Sequence, residues 1–144
     1  MKSDQAIVPT SRAAEIKVIG SIWRRAVWMR LGALNGLFAL AILLLSEQAL
    51  PLSEHSGLLR QAAQIQFMHG MATLACATFM NIGAICARYA PGFFLSGIVL
   101  YCMPIYGEAI GIGGPVNLIK PAGLVAFVAG WLILAWSARD IDKT

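Results

Sequence analysis

Four stretches of the chain carry no formal charge: Leu31 to Ser46, Ala62 to Ala87, Tyr89 to Gly107 and Pro121 to Ala138. Trp28 and Met29 extend the first across Arg30. A helix needs roughly 20 apolar residues to cross a bilayer, with about 17 to 25 tolerated. None of the four shows the strict alternation of a barrel strand. The pattern predicts an all-α integral membrane four-helix bundle, with spans at about 28–46, 62–87, 91–107 and 121–138. Residues 1–27 form a basic tail before it and residues 139–144 a short C-terminal segment. In lipid, helices are favoured because they satisfy their own backbone hydrogen bonds.

The tail has a pattern of its own. From Ala13 onward, Ile16, Ile19, Trp23, Ala26 and Val27 share one helical face, while Glu15, Lys17, Ser21, Arg24 and Arg25 fall elsewhere. That is an amphipathic interfacial helix. Its apolar residues Ile16, Ile19, Trp23 and Val27 suit the membrane surface or a partner protein. A signal peptide is not expected, because a polar stretch about two dozen residues long precedes the first apolar run.

Inside the spans, small and polar residues interrupt the apolar background. Gly32 and Gly36 form a GxxxG pair in "GALNG", with Asn35 beside them. Such pairs let helices approach closely. Ala122, Ala126 and Gly130 make a second small-residue ladder in the fourth span. The second span holds "QIQFMHG", from Gln64 to Gly70. Gln66, His69 and Thr73 recur at three- and four-residue steps and line one stripe. Gln64 belongs to the same polar group by sequence but lies about 160° from Gln66 on the helical wheel. The turn at "CARYAPG" makes spans two and three an antiparallel hairpin. Pro104 is expected to kink the third span. Tyr101 and Tyr106 suit an interfacial belt, and residues 108–120 form an outer loop or re-entrant turn.

Charge adds orientation. Hydrophobic residues make up 58% of the chain and charged residues only 12%, against about 25% in a typical soluble domain. Lys2, Arg12, Lys17, Arg24, Arg25, Arg30, Arg88, Arg139 and Lys143 fall on one side of the expected topology, Arg60 and Lys120 on the other. The positive-inside rule places both termini in the cytoplasm. The net charge of +4 is this topological signal, and no nucleic-acid partner is needed to explain it.

Three segments resemble a family of small bacterial membrane proteins, domain of unknown function 423. They are "RLGALNGLFALA" (Arg30 to Ala41), "QIQFMHGMATL" (Gln64 to Leu74) and "KPAGLVAFVAGWLILAW" (Lys120 to Trp136). The last is similar at Pro121, Gly123, Ala126, Phe127, Ala129, Gly130 and Trp131. The resemblance implies a four-helix fold in a bacterial inner membrane and no established chemistry. The chain departs from the family at the outer end: Leu43 and Ser46 stand where it has glycines, Gln48 where it has histidine, and Lys120 where it has threonine.

The candidate chemistry is sparse. Cys76, Cys86 and Cys102 form no CxxC pair, and the first two are about 15 Å apart along one helix, too far to bridge. No nucleophile–base pair, intramembrane carboxylate pair or phosphate loop is present. A haem held by two histidines would need a partner for His69, and His55 falls in a loop. No enzyme activity, catalytic residue, metal or cofactor is expected. His69 reads as interhelical glue, with a proton relay or ligand contact as the competing role. The expected function is an accessory or structural subunit of a larger membrane complex or homo-oligomer, in contact with membrane lipids and other subunits. The alternatives are a small homo-oligomeric transporter or channel, or a lipid- or quinone-binding protein using Gln66 and His69.

Overall fold

The computed structural model describes residues 24–48, 54–112, 114 and 118–143. Among these residues every regular element is helical. Helix α1 spans Arg25–Gln48 and α2 spans Glu54–Phe79. A long third helix, Ile85–Ala109, contains α3 (Ala90–Gly97), a π-turn (Ile98–Cys102) and α4 (Met103–Ala109). Helix α5 spans Lys120–Ser137. Sequence neighbours pack as spatial neighbours: α1 on α2, α2 on the third helix, and the third helix on α5. Three of these helices, Arg25–Gln48, Ile85–Ala109 and Lys120–Ile141, are long and apolar enough to cross a membrane.

Helix α2 is not among the three, and its position explains why it can be more polar. It lies between α1 and the third helix, so much of its surface faces protein. Ala62, Ala63, Gln66, Thr73, Cys76 and Ala77 are all fully or nearly fully buried. By contrast, α1 exposes Leu34, Leu37 and Leu44 at 57 to 66%, and α5 exposes Val125 and Leu132 at 69% and 65%. Apolar faces this extensive are unusual on a soluble monomer.

Several boundaries differ from the sequence expectation. Helix α1 starts at Arg25, so Val27 belongs to its first turn and not to a separate tail helix. Ile16, Ile19 and Trp23 lie outside the described residues. Helix α2 starts at Glu54, which puts His55 in its first turn and not in a loop. It does not continue to Ala87. The break comes at Gly83, whose φ of 100° only glycine adopts readily. Ala84 N–H bonds back to the Phe79 carbonyl at 3.1 Å, which completes a Schellman stop. "CARY" is then a 3-10 turn opening the third helix. Gly111, with φ of 79°, ends that helix the same way, with Ile112 N–H on the Gly107 carbonyl at 2.9 Å.

Pro104 acts differently from a simple kink. A proline has no N–H to give and its ring crowds the carbonyl four residues back. The chain answers by widening: Met103 N–H bonds to the Ile98 carbonyl, one residue further back than in an α-helix. The widened turn brings Tyr101 against α5, where Gly123 leaves room for it. A Cβ on Gly123 would lie 2.8 Å from Tyr101 Cβ and 2.9 Å from its backbone nitrogen.

Candidate functional site

The polar stripe of α2 faces its neighbours, and two of its residues act as separate nodes. Gln66 is 1% exposed. Its Nε2 donates to Asn35 Oδ1 of α1 at 2.9 Å. Its Oε1 accepts from the Tyr106 hydroxyl of α4 at 2.7 Å. One side-chain amide thus ties three helices together, and the two partners fix which way it points. Tyr106 is a network member and not only a belt residue; its ring also meets Phe38 edge-on, with centroids 6.3 Å apart.

His69 stands one turn further along and is 7% exposed. Its Nδ1 lies 2.7 Å from the Ile65 carbonyl. A carbonyl only accepts, so Nδ1 carries the proton. Nε2 then presents a lone pair and accepts from the Trp131 indole N–H of α5 at 3.3 Å. This arrangement selects the neutral imidazole. The ring stacks on Phe127 at 3.6 Å and 19°, with Phe94 tilted at 5.7 Å. Thr73 donates to the His69 carbonyl at 2.9 Å and stays within α2.

Gln64 does not join this cluster. It is exposed on another face of α2, because two helical residues are turned by about 200°. Of the packing ladder expected in α5, Gly130 lines the seam, while the other two places are taken by the next residues along. Ala122 is exposed and Ala126 half-buried, while Gly123, Phe127, Gly130 and Ser137 are buried. The seam is a matched set of glycines and rings, not a row of small residues. A Cβ on Gly130 would lie 2.6 Å from the Phe94 ring, and one on Gly97 2.4 Å from Phe127. At the other seam, Gly32 approaches the α2 backbone closely: a Cβ there would lie 3.0 Å from the Gly70 carbonyl. Gly36 is looser, with Phe67 at 3.8 Å.

Chemically, the arrangement can bind and position more readily than it can react. Cys76 and Cys102 are buried free thiols. Among the described residues, no three histidine, cysteine or acidic side chains gather as a metal site would need. A recess of about 310 Å³, lined by Leu34, Asn35, Phe38, Gln66 and Met103, reaches the amide pair from outside. The roles of Phe94, Phe127, Trp131 and Tyr106 around the α2 stripe were not foreseen from the sequence. Trp131 lies within the "GW" of the fourth span, but nothing local pairs it with a residue 62 positions away.

No curated protein and no solved structure matches the chain. Residues 39–126 match the family described as "Protein of unknown function (DUF423)". The matched stretch contains Gln66, His69 and Tyr106, and leaves Asn35, Phe127 and Trp131 outside it. The match covers more than half of the chain, and the protein belongs to that family.

Proposed function

We propose that this protein is a small integral membrane protein with four spanning helices, both termini in the cytoplasm of a bacterial cell, that acts as an accessory subunit of a larger membrane complex or of a homo-oligomer. The observation that carries the reading is the pairing inside the bundle. Gln66 is bonded to Asn35 and Tyr106, and His69 to Trp131 and its own helix. Polar groups spent on joining helices are structural glue. Side chains engaged in this way favour a non-enzymatic role exerted through the outer faces. The polar helix α2 is compatible with spanning because α1 and the third helix flank it. By sequence the tail residues Ile16, Ile19 and Trp23 offer a further apolar docking face, with Val27 following in the first turn of α1.

Native mass measurement in lipid nanodiscs drawn directly from the source membrane tests the role. An assembly larger than the monomer is expected, and Ile19→Glu with Trp23→Glu should release the protein while leaving the helices inserted. A monomer alone would overturn the accessory reading. Reporter fusions at Thr144 and Ser53 should mark opposite sides of the membrane. A second reading is favoured by one observation: Asn35 and Gln66 line an apolar recess. A lipid or quinone carbonyl held there would make the protein a binding module. Gln66→Leu would then abolish ligand retention.

A further inference from the structure

The two ends of the bundle carry their cations differently. At the end where α4 stops and α5 starts, Lys120 Nζ bonds both Glu108 carboxylate oxygens at 2.8 and 2.9 Å. At that same end Arg60 lies 3.9 Å from Glu47 of α1. Each of these cations faces a carboxylate from a different helix. At the opposite end Arg25 meets Asn81, while Arg88 and Arg139 lie over aromatic rings.

Those rings belong to a groove. Between the Ile85–Tyr89 turn and the last turns of α5 runs an open recess of about 510 Å³, lined by Cys86, Tyr89, Phe93, Leu132, Ile133 and Trp136. The Arg88 guanidinium sits 4.7 Å from the Tyr89 ring centre and also donates to the Tyr89 hydroxyl at 2.6 Å. The Arg139 guanidinium sits 4.1 Å from the Trp136 ring centre. Asp140 Oδ1 lies 3.7 Å from Arg139 Nε, so this mouth holds a carboxylate as well as the two guanidinium groups. Leu132 is seven residues from Arg139, about 10 Å further in. The recess is therefore apolar along its length, aromatic at its rim and cationic at its mouth.

We propose that this groove binds an anionic glycerophospholipid, its acyl chain along Phe93, Leu132 and Ile133 and its phosphate against Arg88 and Arg139. Guanidinium groups pair with phosphate through several donors at once. Tyrosine and tryptophan favour the depth where headgroups meet acyl chains. Basic pockets between helices at the cytoplasmic side suit acidic headgroups. A zwitterionic lipid fills the same groove but brings no net negative charge to the two guanidinium groups beside it. The inference rests on the membrane reading above.

Trp136 is the reporter. The full chain is reconstituted in phosphatidylcholine nanodiscs containing increasing fractions of brominated phosphatidylglycerol, or of brominated phosphatidylcholine for comparison. Bromine quenches the tryptophans it touches, and Trp136→Phe identifies the share due to Trp136. The expected preference at Trp136 is about fivefold per arginine, roughly thirtyfold in all. It should fall to near one in Arg88→Gln with Arg139→Gln, and survive in Arg139→Lys. The single Arg139→Gln variant reads the same loss in part, should the double variant not fold. Equal quenching by the two lipids overturns the proposal, as does a preference that survives loss of both arginines. Inorganic phosphate abolishing the preference at millimolar concentration would replace the lipid by a free anion and overturn it too. Absence of quenching at Trp136 by either lipid, with other tryptophans quenched, would mean that a protein covers the groove. Absence of quenching at every tryptophan would instead fail the membrane reading itself.

Discussion

The seam between α1 and α2 and the seam between the third helix and α5 both depend on glycine, in opposite ways. At the first, Gly32 brings backbone onto backbone, with Leu74 N and the Gly70 carbonyl about 3 Å from where its Cβ would be. The contact is flat, so position along the seam is set by the hydrogen bond from Gln66 to Asn35. At the second, Gly97 receives the Phe127 ring and Gly130 receives the Phe94 ring, each helix supplying one hollow and one ring. Interlocking shape sets that register along the seam, with the Lys120–Glu108 pair at one end of it. Two helices in lipid gain nothing from hiding apolar surface, so packing and hydrogen bonds must choose between alternatives. One seam chooses with a polar pair, the other with interlocking volume. His69 joins them, hydrogen-bonded within α2 and to Trp131, and stacked on Phe127.

The largest effects are expected at the interlocked seam. Gly123→Ala places a methyl 2.9 Å from a backbone nitrogen that cannot rotate away. It should cost about 3 kcal/mol, the upper part of the usual range for overpacking, read as a lowered Tm in detergent. Gly97→Ala meets a ring and should cost about 2 kcal/mol. Combining it with Phe127→Leu should recover much of that loss, since contacting residues couple. Simple additivity of those two changes would show that the ring and the hollow are independent.

His69→Ala comes next, at about 2 kcal/mol, because it leaves a hole beside Phe127 and an indole N–H without its acceptor. His69→Gln keeps a donor and an acceptor and should restore about half. Unfolding in detergent measures both. Loss of a cellular function with unchanged stability in the two variants would shift His69 to a relay or ligand role.

Much of this was legible from charge and spacing, and the misses have a common cause. The apolar runs located three long helices, and the spacing of Gln66, His69 and Thr73 put them on one stripe. The end of α2 was misplaced because Arg88 marks the eye, while the actual stop is a positive φ at Gly83 that carries no hydropathy signal. The start of α2 was missed because Glu54 to Gln61 is mostly polar, and its two apolar side chains, Leu58 and Leu59, are too few to mark a span. The ladder in α5 was right at Gly130 and one residue early at Ala122 and Ala126. Ala122, Ala126 and Gly130 are all small, but the seam needs a large Phe127 between Gly123 and Gly130. Whether a small residue lies in a seam depends on what faces it, and that information is in another helix.

At the flat seam the effects should be smaller. Gln66→Leu removes one bond to Asn35 and one to Tyr106. Interhelical bonds in lipid average about 0.6 kcal/mol and reach about 1.7, so a loss of about 1 to 2 kcal/mol is expected in the same unfolding measurement. Gln66→Glu should fare no better, because a carboxylate cannot donate to Asn35 Oδ1.

The smallest effect tests whether GxxxG acts here as a pair. Sequence spacing treats Gly32 and Gly36 alike. The geometry does not: a Cβ on Gly32 meets Leu74 Cγ at 2.9 Å and backbone close behind, whereas one on Gly36 meets only the Phe67 ring, at 3.8 Å, an ordinary contact. Gly32→Ala should therefore cost about 1 to 2 kcal/mol. Gly36→Ala should change stability by no more than about 0.5 kcal/mol, because the new methyl fits and alanine is the better helix former. Equal losses from the two substitutions would mean that α1 and α2 approach as closely at Gly36 as at Gly32, and the contrast between a flat seam with one tight point and an interlocked seam with three would no longer hold.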